Sequence, residues 1–397
     1  MTIKLMHQAG HNSNWNRDSF EKDKVGVGII YSPVHDDCEK IKKYNEKLKY
    51  TSLFDPQFYL PSSGKPKFKT YDFFPNTILG KQGFSTIDYN YLSLESAKRC
   101  VEFQLEQGFA GIVIPTRFFE QLTPDYTDKQ SESFVSPFLS AIKDRGIVDS
   151  SDIYLTVPIT SHMINSREYK ENILNWITGY PEIDGVYIIC QHDRKTKQVV
   201  DSQFLYEYMS VVKATIDADL DVIVGYTNTE ALLFSLCGNL TLTIGAFENT
   251  RIFSLDKFVV SDETKRGPKP RIYIPKLLNW VNFEQAKMIK NNNPEIWKSL
   301  CGDSKYSDEA FSATKELNFQ SPLLYKHYFL KFNEQVNELS SLDVANRYAT
   351  VRSWILEAQE LYEEISEIPL EFDKHGSGEH LSAWLDAINL YYSQYIK

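Results

Sequence analysis

Eight short apolar runs punctuate the first 280 residues, and nearly every one gives way to a cluster of polar or charged side chains. They are Val25–Tyr31, Ser52–Phe54, Gly111–Pro115, Ile153–Val157, Gly185–Cys190, Val222–Gly225, Leu240–Gly245 and Arg271–Pro275. Stretches of helical character separate most of them. Alternation of strand and helix predicts a parallel sheet, and eight such units predict an α/β fold of the closed (β/α)8, TIM-like barrel type. In such barrels the residues just after each strand converge on one rim, and that rim is where ligands bind.

The chain is 397 residues long, which suits a barrel plus an appendage, and its pattern changes near the end. After Asn291–Pro294 no convincing strand follows. Tyr325, Phe329, Phe332, Val336 and Leu339 recur at steps of four and three, as do Val344, Tyr348, Val351, Ile355, Ala358, Tyr362 and Ile365. Each set lies on one stripe of a helix, with Ser340 and Ser341 as the break. An antiparallel helical hairpin is predicted, with a last helix over Glu379–Tyr395. The barrel is therefore assigned to 1–292 and an all-helical C-terminal appendage to 293–397. The apolar stripes serve either to pack on the barrel or to form a homodimer through the helical tail. Within the barrel a long insertion at 56–92 carries several prolines and the aromatic run Tyr71, Phe73 and Phe74. A loop of that length is either a lid over a site or an ordered ornament.

Aromatic residues make up 14% of the chain, enough to fill a large core and to argue against disorder. A net charge of −10 argues against coating nucleic acid by bulk charge, while leaving room for a local basic groove. The five cysteines show no CxxC spacing, so neither a disulfide framework nor a cysteine-rich zinc site is expected. Met1–Arg17 is polar and lacks the apolar core of a signal peptide, and no segment is apolar for long enough to span a bilayer. A cytoplasmic protein with no membrane contact is expected.

The rim these strands would build is chemically mixed. Ser32 and His35 follow the first strand, Asp55 the second, Arg117 the third, His162 the fourth, and His192 and Asp193 the fifth. Tyr226, Asn228 and Glu230 follow the sixth, Glu248, Asn249 and Arg251 the seventh, and Lys276 the eighth. Asp55 stands beside aromatic residues, which exclude water and raise a carboxyl pKa, so it is the leading acid–base candidate. It could equally cap a turn before Pro56. Glu248 is the second carboxylate, and two carboxylates on one rim fit the division of labour of glycosyl chemistry. His162 and His192 are assigned to orienting the substrate.

The end of the barrel is strongly basic. Seven cations, Arg251, Lys257, Lys265, Arg266, Lys269, Arg271 and Lys276, face only Asp256, Asp262 and Glu263. Barrels often hold a phosphate in the loops after strands seven and eight. Arg251 and Lys276, nearest the strand ends, are the predicted phosphate ligands, with Arg117, Tyr226, Asn228 and Asn249 as further binding residues. His35, His162, His192, Asp55, Asp193 and Glu248 could ligate a metal between them. No HxH or HExxH spacing supports that, so no metal ligands are assigned.

Gly225, Glu230 and Leu232 keep the spacing of a Gly-x-Gly-Thr-Pro-Glu-Asp-Leu segment, and Thr250-Arg251 is similar to the end of a Pro-Thr-Arg segment. Asp55 resembles the aspartate of an Asp-Ser-Gly-Gly-Phe-Gln segment. All three segments belong to the tRNA-guanine transglycosylases. The resemblance implies an irregular (β/α)8 barrel that exchanges a nucleobase through a covalent aspartyl intermediate, in nucleic-acid modification or defence. Gly245 stands where that family has its nucleophilic aspartate, and the family's zinc site of three cysteines and one histidine is not matched. Glu248 would then substitute as nucleophile, or the base would be bound without being exchanged.

These readings predict a barrel enzyme that binds a phosphate-bearing nucleotide or nucleic-acid element at its C-terminal rim, with transglycosylase-like base chemistry and an unknown cofactor. The alternatives are a non-catalytic barrel that senses a ligand or partner and signals through its helical tail, and a metal-dependent hydrolase.

Overall fold

Seven of the eight apolar runs become barrel strands, and the remaining place is taken by a segment with no such run. This is the arrangement in a computed structural model that describes residues 2–80, 83–121, 123–148, 150–192, 197–261, 267–300 and 302–397. The strands are β1 (Lys4–Gln8), β2 (Gly28–Tyr31), β3 (Leu53–Phe54), β4 (Gly111–Ile114), β5 (Asp152–Thr160), β6 (Gly185–Gln191), β7 (Asp221–Gly225) and β8 (Thr241–Gly245). They form one parallel sheet in the order β3-β2-β1-β8-β7-β6-β5-β4. β1 closes the circle, with His7 opposite Ile29 of β2 on one side and Ile244 of β8 on the other. Across the remaining gap, next to β3 and β4, the Ala110 N–H donates to the Ser52 carbonyl at 2.9 Å, so the barrel is nearly closed.

Two strand assignments change. Val25–Tyr31 contains the second strand, not the first. Arg271–Pro275 lies outside the barrel: β9 (Arg271–Ile274) pairs only with β10 (Asn279–Asn282), in an antiparallel hairpin. β1 escapes a reading based on apolar runs because it carries His7 and Gln8, both fully buried. All of their side-chain polar atoms but Gln8 Nε2 find partners elsewhere in the chain. His7 Nε2 lies 3.1 Å from the Val25 carbonyl and Nδ1 lies 3.2 Å from Asn16 Nδ2, while the Tyr187 hydroxyl donates to Gln8 Oε1 at 2.6 Å. Buried polar groups matched in this way cost little, and nothing local in the sequence marks them.

Tyr187 shows how fully the interior is packed. Its ring covers Gly225, where a Cβ would sit 2.3 Å from Tyr187 Cε2. Gly225→Ala is expected to push the ring off Gln8 and to cost about 1–3 kcal/mol as overpacking, read as a lower urea midpoint.

The 56–92 insertion folds as an aromatic wedge. It holds a 3-10 turn, Phe68–Thr70, and a short helix, Pro75–Leu79, and ends inside the helix Thr86–Glu106. Phe58, Phe68, Tyr71, Phe73 and Phe74 are all buried, with Phe68 and Phe74 stacked at 4.2 Å. Tyr59 meets Phe253 and Phe258 at 5.3 and 5.5 Å, and the Ser63 hydroxyl donates to the Phe258 carbonyl at 2.6 Å. The insertion therefore joins the loop after β8 in roofing the C-terminal end of the barrel axis.

The C-terminal region is helical: Phe283–Asn292, Pro294–Leu300, Lys305–Ser312, Pro322–Ser340, Val344–Ser366 and His380–Tyr395. The stripe from Tyr325 to Leu339 is buried against the protein's own barrel. Ile3 N–H donates to Ser340 Oγ at 2.9 Å, Gly26 N–H to Asn333 Oδ1 at 3.2 Å, and the His7 ring meets Phe329 edge-on at 4.9 Å. One continuous hydrophobic core runs from Leu5 in β1 through Phe329 and Ile355 to Trp384. Among the described residues no helix is long and apolar enough to cross a membrane.

Candidate ligand-binding cleft

Counted from β1, Glu248–Arg251 follow the eighth and last barrel strand, while Lys276 follows none. The chain leaves β8 through a tight 3-10 turn, Glu248–Thr250. That turn folds back so closely that a Cβ on Gly245 would lie 2.1 Å from Thr250 Oγ1. Position 245 has no room for a side chain, an aspartate included.

Beside the turn opens a cleft of about 350 Å³. The turn supplies Phe247, Glu248, Asn249 and Arg251 to one wall. The β9–β10 hairpin and the residues before it supply Lys269, Arg271 and Trp280, and the start of the helix Pro322–Ser340 supplies Tyr325, with Phe319 and Gln320 ahead of it. His11, from the loop after β1, and Lys197 complete the lining. The aromatic wall is held by its own packing: Trp15 stacks on Tyr325 at 5.3 Å, and Phe247 meets Tyr325 at 5.3 Å.

Arg251 is the unusual member. It is only 7% exposed, and its guanidinium lies 3.9 Å from the centroid of Trp280 and 5.6 Å from that of Tyr328. Its Nε and Nη1 are buried without a hydrogen-bond partner, and no described carboxylate pairs with it. A buried guanidinium with unmet N–H groups is costly, and its charge favours an anion in the adjoining cleft. Two neighbouring cations are committed elsewhere: Arg271 pairs with Asp373, and Lys197 with Glu248. Burial raises the Glu248 carboxyl, but Lys197, with Arg251 and His375 beyond it, outweighs burial and holds its pKa below the usual value. Glu248 is thus an ionised carboxylate at the cleft.

A second polar cluster lies on the barrel axis, under the aromatic roof. Asp55 is fully buried; its Oδ1 accepts the Gln57 N–H and its Oδ2 the Tyr59 hydroxyl, both at 2.9 Å. The first bond is the turn-capping geometry of an Asx turn. Burial raises the Asp55 pKa to about 7, against the opposing pull of Tyr59, the Gln57 N–H and Lys257. Gln57 Nε2 donates to the Tyr226 hydroxyl at 2.9 Å, and Lys257 Nζ donates to the same hydroxyl at 3.3 Å. Gln57 and Tyr226 both have left-handed backbones, with φ of 55° and 54°. Such conformations cost roughly 1–3 kcal/mol each away from glycine, and they persist where the surrounding structure over-determines the geometry. Close by, Gln8 Nε2, Ser32 Oγ and His35 Nε2 are buried without a hydrogen-bond partner.

The structure thus brings Glu248, Asn249 and Arg251 together at the cleft, and Asp55 and Tyr226 together on the axis. Lys257 joins the two groups by donating to the Asn249 carbonyl at 3.3 Å. The other expected site residues stand apart. Arg117 donates to Thr86 Oγ1 at 3.2 Å and covers Phe119. His162 is exposed, and His192 lies half-buried against Phe204 at 4.6 Å. Asn228 donates to Lys197 O and Gln198 Oε1 at 3.3 and 3.2 Å, which braces the segment that carries Lys197. Lys276 is not on the rim; it sits between β9 and β10 and pairs with Glu357 at 2.6 Å. Asp193, Asp262, Glu263, Lys265 and Arg266 lie outside the described residues.

Lys197, Trp280, Phe319 and Tyr325 were not singled out from the sequence as site residues. Tyr325 read there only as one member of an apolar helical stripe. Among the described residues no three His, Cys, Asp or Glu side chains gather as metal ligands would. No protein-family model, curated protein or solved structure matches the chain.

Proposed function

We propose that the protein is a barrel enzyme that binds a phosphate-bearing nucleotide, free or within a nucleic acid, in the cleft beside β8. Arg251 carries this reading: a buried guanidinium, seated on Trp280, with two N–H groups unmet at an aromatic-walled cleft. A phosphate in the cleft would answer its charge. The flat walls of Trp280, Tyr325 and Phe319 suit a base, and base–aromatic stacking contributes about 1–3 kcal/mol. Transglycosylase-like chemistry here would rest on Glu248, the ionised carboxylate of the cleft, because Asp55 is not among its lining residues. Asp55 would act from the axis, through Tyr226 and Lys257.

Calorimetric titration with the four nucleoside monophosphates and their parent nucleosides tests the reading. At least one monophosphate is expected to bind more tightly than its nucleoside. Arg251→Met, which keeps a long side chain on Trp280, should erase that difference and cost about 2–4 kcal/mol of affinity. Lys276→Ala should change nothing. Equal affinity for nucleoside and monophosphate, or an unaffected Arg251→Met protein, would overturn it.

A further inference from the structure

The turn that follows Arg251 carries an amine that is not among the residues lining the cleft. Lys257 lies in the 3-10 turn Leu255–Phe258 and is half-buried. Its Nζ is 3.3 Å from the Tyr226 hydroxyl and 3.3 Å from the Asn249 carbonyl. Aromatic rings flank it, with the centroids of Tyr226 and Phe258 at 4.7 and 5.8 Å. Among the described residues no carboxylate lies within ion-pair distance of it, unlike Lys197, Lys276 or Lys331. Tyr226, the residue that fixes its position, is held there by a left-handed backbone and by Gln57, whose backbone is also left-handed.

An amine without a counter-ion, among aromatic rings and beside a phenol, is the arrangement of a nucleophilic lysine. We propose that Lys257 condenses with an aldehyde or ketone carbonyl of a ligand, which makes the barrel mouth next to the cleft an imine-forming site. The nitrogen adds to the carbonyl carbon, and a proton passes from nitrogen to the carbonyl oxygen to give a carbinolamine. The C–O bond then breaks and the hydroxyl leaves as water, taking a proton from the Tyr226 hydroxyl. Nitrogen's remaining proton restores the phenol, and a neutral imine is left. The step consumes no oxidant or reductant. Two conditions it needs are met: burial lowers the Lys257 pKa to about 7, so neutral amine is plentiful, and burial holds the Tyr226 phenol well above its usual value, so it stays a donor.

The proposal stands independently of the phosphate reading, and a matched pair of probes separates them. Whole protein is incubated with glycolaldehyde or glycolaldehyde phosphate, reduced with cyanoborohydride, digested, and each lysine's labelling rate is measured by mass spectrometry. Lys257 is expected to label at least roughly tenfold faster at pH 7 than an exposed lysine such as Lys298, with both probes. Its rate should fall by half near pH 7 as the pH is lowered. Tyr226→Phe should slow it roughly a hundred-fold, the lower end of what positioned proton transfer supplies, with Lys298 unchanged as the internal reference. Arg251→Met should slow only the phosphorylated probe; if it slows neither, the phosphate reading fails and the imine site stands. Labelling of Lys257 no faster than Lys298, or a rate indifferent to Tyr226→Phe in a folded variant, would overturn the proposal.

Discussion

Arg347→Met is expected to destabilise the protein by about 3–5 kcal/mol, although the side chain changes little in length, because it removes a buried charge from partners that stay behind. Arg347 is completely buried. Its Nε donates to the carbonyls of Leu339 and Leu342 at 2.9 and 3.0 Å, and its Nη1 to those of Ser235 and Gly238 at 3.0 and 2.9 Å. Leu339 and Leu342 lie at the C-terminal end of the helix Pro322–Ser340, where carbonyls lack helical partners and the helix dipole is negative. Ser235 and Gly238 end the 3-10 segment Thr229–Cys237 that follows β7. One guanidinium therefore caps two chain ends and ties the helical hairpin to the barrel. Hydrogen bonds to a charged group contribute roughly 1.5–3 kcal/mol each, and four are lost, partly offset by no longer burying a cation. Urea midpoints of the wild type, Arg347→Met and Arg347→Lys measure the effect, with lysine recovering only part of it because an ammonium has no fork. A loss below about 1 kcal/mol would show that water can replace the guanidinium at these carbonyls.

The barrel was legible wherever a strand is apolar along its whole length, as in Gly185–Cys190, because a parallel strand buried on both faces leaves a continuous run. β1 was hidden because its polar members are held by Tyr187, Val25 and Asn16, through contacts that exist only after folding. The opposite error arose at Arg271–Pro275, where the run is a true strand but the sequence does not name its partner. That single exchange explains the fates of the two expected phosphate ligands. Arg251 follows a barrel strand under either numbering, whereas Lys276 owed its place to β9 alone. The apolar stripes of the hairpin were equally legible as buried faces, but what buries them was not. Asn333 and Ser340, polar residues at the edge of the stripe, make the decisive ties to the barrel. Lys257 looked like any of seven cations in its stretch, and only Tyr226 and Asp55, delivered by β7 and β3, set it apart.

Asp55→Asn is expected to make the protein more stable at pH 8 and little different at pH 4. The folded chain keeps the Asp55 proton up to about pH 7, while an unfolded chain releases it near 3.8. Between those values the folded state binds the extra proton, so stability falls as pH rises. The contribution is fully present below about pH 4, is lost by about pH 7, and is flat above, for a total of about 4 kcal/mol. Lys257 acts in the opposite sense. Its folded pKa of about 7 lies below the ordinary 10.5, so its contribution is present above pH 10.5 and is lost as pH falls to 7. The two together place a local minimum of stability near neutral pH, where most proteins are close to their maximum. Urea midpoints from pH 4 to 9 for the wild type and Asp55→Asn isolate the carboxyl: the difference should open between pH 4 and 7 and then hold constant. Parallel profiles would mean that Asp55 ionises in the folded protein at its ordinary pH. Neither group stabilises the fold near pH 7, because each has lost its contribution there. With the left-handed Gln57 and Tyr226 beside them, backbone strain and two buried ionisable groups gather in one place at the barrel mouth, and all of them cost stability near neutral pH.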